Sequence, residues 1–538
     1  MKAIKLFGVS LLITITCLIT TAQVKQTPVP KLIEKDGRYA LLVDGKPFLI
    51  LGGQAHNSSS WPGMLPAVWR AVEAMNANTL ETPIYWEQIE PRPGQFDFSM
   101  IDTLLLQSRR HNVRLVLLWF ATWKNGSNHY MPEWMKQDAK KYPNITGKDG
   151  KEVDSPSPHT KEAMELDAKA FKAVMAYLKE ADPQHTVIMV QVQNEPGAWN
   201  SIRDYSAKAQ KLFGGQVPEE LLQPEVLKEL NKPVVSKGTW TEVFGDDADE
   251  YFHAYAVAHY IEHVAAAGKE VNDLPLYTNA ALRDPLTNPE AGTYESGGPT
   301  DNVLAIWKAV APSISILAPD IYLNESDKVM KVLELYSRTD NALFVPEIRN
   351  TPGYVRYLYG VLGYGGIGFS PFGIDDNGSD QSLEEVNERY KGIGRDYAAI
   401  SPMMREMAQW CFDGKVYVAV EQDDHADQTI NLGKWAAKVS FGSFRRNQKA
   451  NEGDIIGKTL IVKLGADEFL LMGTNCHFTF EPLGPNSGKA WQYLKVEEGQ
   501  YENGDFKLLR IRNGDETDWG GPRIGSKPVV LHTTLTVR

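Results

Sequence analysis

From about residue 30 to residue 400 the chain repeats one pattern, a short apolar run, a polar loop and then a segment of helical period. That alternation is what a parallel sheet with crossover helices requires, because each strand is buried on both faces while each helix buries only one stripe. The first run spans 48–53, after a small strand at Tyr39–Val43 and an Asp44-Gly45 turn suited to a tight hairpin. Six more begin at Asn78, Val113, Thr186, Leu274, Ile314 and Ala342, and the eighth covers 365–370. Helical periodicity falls at 67–75, 101–111, 160–181, 248–267 and 329–337, while a Pro- and Lys-rich stretch at 214–237 reads as an insertion in a barrel loop. Eight such units predict a closed (β/α)8 TIM barrel. No GxGxxG follows a strand, so dinucleotide binding finds no support.

Beyond residue 400 the period changes. Runs at 416–421, 437–441, 458–464, 469–475 and 529–537 are β-like and separated by Gly- or Asp-rich turns. We therefore expect an α/β fold, a TIM barrel over 23–400 followed by a smaller all-β sandwich-like domain over 401–538. A length of 538 residues agrees, being too great for one core. Residues 1–22, with Lys2 and Lys5 before an apolar stretch and Thr20-Thr21-Ala22 at its end, read as a signal peptide for export to the periplasm or exterior. A lipoprotein anchor at Cys17 fits less well, and no segment reads as a membrane span. Cys411 and Cys476 are then the only cysteines left, and spacing does not say whether they pair. The net charge of −12 argues against a nucleic-acid partner, which would need a basic field.

Two strands end in a glutamate. Val187 to Gln193 runs into Asn194-Glu195-Pro196-Gly197, and Ala342 to Pro346 runs into Glu347. A barrel carries its chemistry at the C-terminal ends of its strands, so these carboxyls, on the fourth and seventh strands, face one another. Glycosidic bond cleavage needs such a pair, one to protonate the leaving oxygen and one to attack the anomeric carbon. Glu195 is the expected acid/base and Glu347 the expected nucleophile. Gln54 and His56, just past the first strand, and Trp86 and Trp123, at later strand ends, are candidate sugar contacts. His259 and His263 share a helix face but lack the glutamate of a zinc motif, so we expect no metal and no cofactor.

The Val187–Gly197 stretch resembles the acid/base strand of the family 35 beta-galactosidases. Pro83 to Phe98, with its Trp86, Glu90-Pro91 and Pro93-Gly94-Gln95-Phe96-Asp97-Phe98, is similar to that family's second-strand motif, and Met131-Pro132-Glu133-Trp134 to the one after its third strand. The resemblance implies that Asn194 bonds the sugar 2-hydroxyl and that Tyr322 orients the nucleophile. Thr122 stands where the family carries a sugar-binding Glu, and Pro83 where it carries Tyr, so the pocket is partly rebuilt. The Trp123-Lys124-Asn125-Gly126 loop looks like that of a bacterial branch, some members of which trim galactose from plant side chains such as xyloglucan. Family 42 shares the barrel and both glutamates. The expected partner is thus a carbohydrate. A clan A glycosidase of other specificity and a silent sugar-binding protein are the alternative readings.

Overall fold

The computed structural model describes residues 26–375, 381–442, 456–518 and 521–538, so the expected signal segment lies outside the described residues. Its alternating region closes into a barrel of eight parallel strands in chain order: Ile50–Gln54, Thr79–Tyr85, Arg114–Lys124, Val187–Asn194, Leu276–Ala281, Ile316–Ile321, Val345–Ile348 and Gly368–Pro371. The helices Leu65–Met75, Ser99–His111, Lys161–Ala181, Ala248–Lys269 and Ser326–Tyr336 lie close to their expected positions. The first shows why. Leu65, Val68, Trp69, Val72 and Met75 recur at helical spacing and are buried, and Asn76 ends the helix in the left-handed region. The 214–237 stretch lies between the fourth strand and the helix Ala248–Lys269, and it carries short helical turns at Glu219–Leu222 and Pro224–Glu229.

The C-terminal region is a two-sheet module with one correction to the expected boundary. The stretch from 401 opens not on a strand but on helix Met404–Phe412, whose Arg405 donates to the carbonyls of Val43, Lys46 and Pro47 in the N-terminal hairpin region. A six-stranded antiparallel sheet and a four-stranded one follow. In the larger sheet Ile461, Phe469, Leu471 and Leu531 face the smaller sheet, while Leu460, Val462, Leu470, Met472 and Val530 join the core of the barrel. Strand alternation thus gives this sheet two buried faces, one per domain. Buried Lys458 reaches Asp396 at 2.7 Å, and Tyr359 donates to the same carboxylate. Asp423 and Ser326 exchange backbone-to-side-chain hydrogen bonds across the same junction. Cys411 and Cys476 are buried and unpaired, their thiols pushed up to about 12 by burial. No helix among the described residues is long and apolar enough to cross a membrane.

Candidate active site

The fourth strand is buried along its whole length and then leaves regular geometry. Gln193 (φ 63°) and Glu195 (φ 43°) both adopt left-handed backbone, which side-chain-bearing residues rarely do. Surrounding bonds hold them there. Asn279 Oδ1 accepts from the Glu195 amide at 2.9 Å, and the amides of Asn125 and Gly126 donate to the carbonyls of Asn194 and Glu195. This turn aims the Glu195 carboxyl into the barrel mouth, where oxygens of Glu195, Asp320 and Glu347 lie within 4.8 Å of one another.

Glu347 is held from two sides. Tyr322 donates to its Oε1 at 2.5 Å and Gln54 Nε2 to its Oε2 at 3.0 Å. Two donors at once fix the orientation of this carboxyl, as a nucleophile needs. Glu195 differs. Burial first, then the neighbouring Glu347, pushes its carboxyl from the ordinary 4.5 up to about 7, while Lys124 and a hydrogen bond with Asp320 pull downward. A carboxyl raised in this way keeps its proton at higher pH than an ordinary one, as a general acid needs. Asp320, paired in register with Glu347, is held well above the usual carboxylate range by burial and by both glutamates. Asn279 Nδ2 donates to it at 2.5 Å. Below them Glu81, which accepts from the Tyr277 hydroxyl at 3.0 Å, is raised by burial to about 8.

Several expected sugar contacts lie elsewhere. Thr122 points out of the barrel, its hydroxyl donating to Asp167 at 2.6 Å and meeting Tyr260 at 2.9 Å in the layer between strands and helices. Trp86 and Trp123 are wholly buried, the first donating to Glu90 and the second packed edge-on against Tyr260. Neither offers a ring face to a ligand. Gln54 does stand in the site: its Nε2 donates to Glu347, while its Oε1 is buried with no partner within the protein. His56 ties the first loop to the eighth, its ring and backbone amide both bonded to Asp375. Asn194 and Tyr322 do stand beside the glutamates. Exposed rings near this face are Trp61, stacked on Tyr85, and Trp199, beside Gly126.

Sequence reasoning missed Asp320, Lys124, Asn279, Glu295 and Glu81. Asp320 carried a usable signal, since Ile316–Ile321 is one more apolar strand with a carboxylate near its C-terminal end. Glu295 sits in a long loop without periodicity and gave none.

Comparison with known proteins finds similarity over part of the chain. Residues 64–246 match the family model described as Beta-galactosidase, of glycoside hydrolase family 42, so that stretch is beta-galactosidase-like; it includes Glu195 but stops short of Glu347. Residues 393–521 match a domain of unknown function. Beta-galactosidase 11 of Arabidopsis thaliana is 27% identical over 166 residues, 30% of this chain and 18% of its own length. A beta-galactosidase of Xanthomonas manihotis is 27% identical over 183 residues, 32% of this chain and 27% of its own. The chain therefore spans under a third of these curated relatives. Among solved structures, a catalytic mutant of Gan42B, a GH42 beta-galactosidase from G. stearothermophilus, aligns at TM-score 0.46 and 16% identity, over 66% of this chain and 58% of that one. The catalytic domain of a beta-amylase from Paenibacillus polymyxa reaches the same TM-score at 11% identity, over 63% and 96%.

Proposed function

We propose that this chain is a retaining, exo-acting glycoside hydrolase of the beta-galactosidase kind, with Glu195 as acid/base and Glu347 as nucleophile. The observation that carries the reading is the approach of the two carboxyls to within 4.8 Å, one oriented by two donors and the other raised to about 7. Retaining enzymes place their carboxyls about 5–5.5 Å apart, whereas inverting ones leave about 6.5–9.5 Å for a water. In the first step the Glu195 proton passes to the glycosidic oxygen as that bond breaks, and a Glu347 oxygen bonds to the anomeric carbon. In the second, Glu195, now a carboxylate, takes a proton from water as its oxygen displaces Glu347. The buried Nδ2 of Asn194, which has no partner within the protein, is a donor suited to a sugar hydroxyl.

The finer proposal is terminal galactose on plant-type oligosaccharides such as xyloglucan side chains, by an exported enzyme resembling family 35. A panel of nitrophenyl glycosides tests it. Turnover of the β-galactoside, lost in Glu347→Gly, is the expected result. Turnover of another glycoside alone replaces the sugar assignment, and a panel with no turnover removes the hydrolase reading.

A further inference from the structure

Lys124 ends the third barrel strand and is only 3% exposed. A buried ammonium needs acceptors. Its Nζ donates to Asn194 Oδ1 at 2.7 Å and to Asn125 Oδ1, and it stands 5.2 Å from the Phe120 ring centroid. An ammonium only donates, so this bond fixes which end of the Asn194 amide carries the oxygen. The opposite end, Nδ2, is left buried and unpartnered.

The turn after Lys124 rests on a second unusual group. Both oxygens of Glu295 are buried and bond to nothing within the protein. A Cβ added to Gly126 would stand 2.6 Å from Glu295 Oε1, so the turn lies directly against this carboxyl. Ser296 and Ala198 exchange backbone hydrogen bonds, which ties the loop of Glu295 to the loop leaving Glu195. The charges around the acid/base can be named. Glu195 faces Glu347, Asp320 and Lys124; Glu295 faces Glu195 and Lys124; Asp320 faces Glu347, Glu195 and Lys124; and the Tyr322 hydroxyl lies in the field of Glu347, Asp320 and Glu195.

We propose that Lys124 is a positioning residue of this site, locking the Asn194 amide with its NH2 free for a sugar hydroxyl and placing one positive charge among Glu195, Asp320 and Glu295. It rests on the glycosidase reading. The charge has a direction of effect: it eases proton release from Glu195, which must end the first step as a carboxylate and begin the second as a base.

The test compares Lys124→Met and Lys124→Arg with the parent chain. On a β-galactoside, Lys124→Met should lose on the order of 10²-fold in kcat/KM, the cost of a misplaced positioning group. On the 2-deoxy sugar, which lacks the hydroxyl that Asn194 would bind, the loss should be much smaller. The basic limb of the kcat/KM profile, set by protonated Glu195, should move up by about one pH unit in Lys124→Met and stay in place in Lys124→Arg. Equal losses on both sugars with an unmoved limb would make Lys124 merely structural and overturn the proposal. A readout without turnover is the 13C titration of Glu195 in protein labelled at the glutamate carboxyls, assigned with Glu195→Gln. A titration unchanged in folded Lys124→Met also overturns it. Absence of turnover in the parent chain defeats the glycosidase reading, while this titration still decides the charge.

Discussion

Tyr322, one residue past the sixth barrel strand, donates its hydroxyl to Oε1 of Glu347 on the seventh at 2.5 Å. The two strands are hydrogen-bonded neighbours, so the phenol reaches the carboxylate without either backbone leaving its register.

Removing that donor leaves Glu347 held by Gln54 alone. Hydrogen bonds to charged groups contribute about 1.5–3 kcal/mol, so Tyr322→Phe should lower kcat by about ten- to a hundred-fold. The loss should fall on formation of the covalent intermediate, which pre-steady-state release of dinitrophenol measures. An unchanged first step would remove Tyr322 from this role.

The two carboxyl roles give opposite products in rescue experiments. In Glu347→Gly, azide should attack the anomeric carbon from the vacated side and yield the α-glycosyl azide. In Glu195→Gly, activated substrates should still form the ester on Glu347, and azide should then yield the β-azide. NMR of the product distinguishes them, and swapped configurations would exchange the two assignments.

Stability should fall as pH rises from about 5 to 8. Glu195 at about 7, Asp167 at about 6 and Glu81 at about 8 all lie above their ordinary values, burial being the first cause in each. Through these three groups the folded state binds more protons than the unfolded one across this window. His159 and His253, lowered by burial to about 4 and about 3, oppose them only in its lower half. The contribution of the three carboxyls is complete below the unfolded values and is lost as pH passes the folded ones. Tm measured by calorimetry should decline over this range, with a shallower decline in Glu195→Gln. A flat Tm would contradict the raised values.

Lys458 and Asp396 link the two domains through a buried pair. Removing one partner of such a pair typically costs about 3–5 kcal/mol, because the other is left charged and dry. Lys458→Met should lower Tm strongly, and Lys458→Met with Asp396→Asn should recover part of the loss. For the same reason residues 23–400 alone should not be soluble and active; a fully active truncated barrel would separate the domains.

Thr122 now predicts an effect on stability rather than on sugar binding. Thr122→Val removes one of three donors from buried Asp167, which also accepts from Trp119 and Gln193, so about 1–3 kcal/mol of stability should be lost. KM for the glycoside should stay unchanged. A raised KM at unaltered Tm would return Thr122 to the sugar pocket.

The barrel was legible because unbroken apolar runs alternate with segments of helical period, and Glu195 and Glu347 because each stops such a run. Trp123 and Thr122 were not. Trp119 and Thr122 both bond Asp167 although three residues apart, whereas a regular strand would put them on opposite faces. The third strand shifts register against the fourth between Trp119 and Lys124, and that irregularity turns the face count over. In the β module the strands Trp491–Glu502 and Asp505–Ile511 escaped notice. The first shifts register twice, and the second is almost wholly exposed, so neither displays a clean apolar alternation.

The two unpaired thiols bear on how this molecule is assembled. Cys411 lies in the helix that joins the domains and Cys476 in the smaller sheet, each dry and with its proton held firmly. Neither has the thiolate character that exchange or oxidation requires. The native fold holds no disulfide between these two residues, so its Tm should be the same with and without a reducing agent.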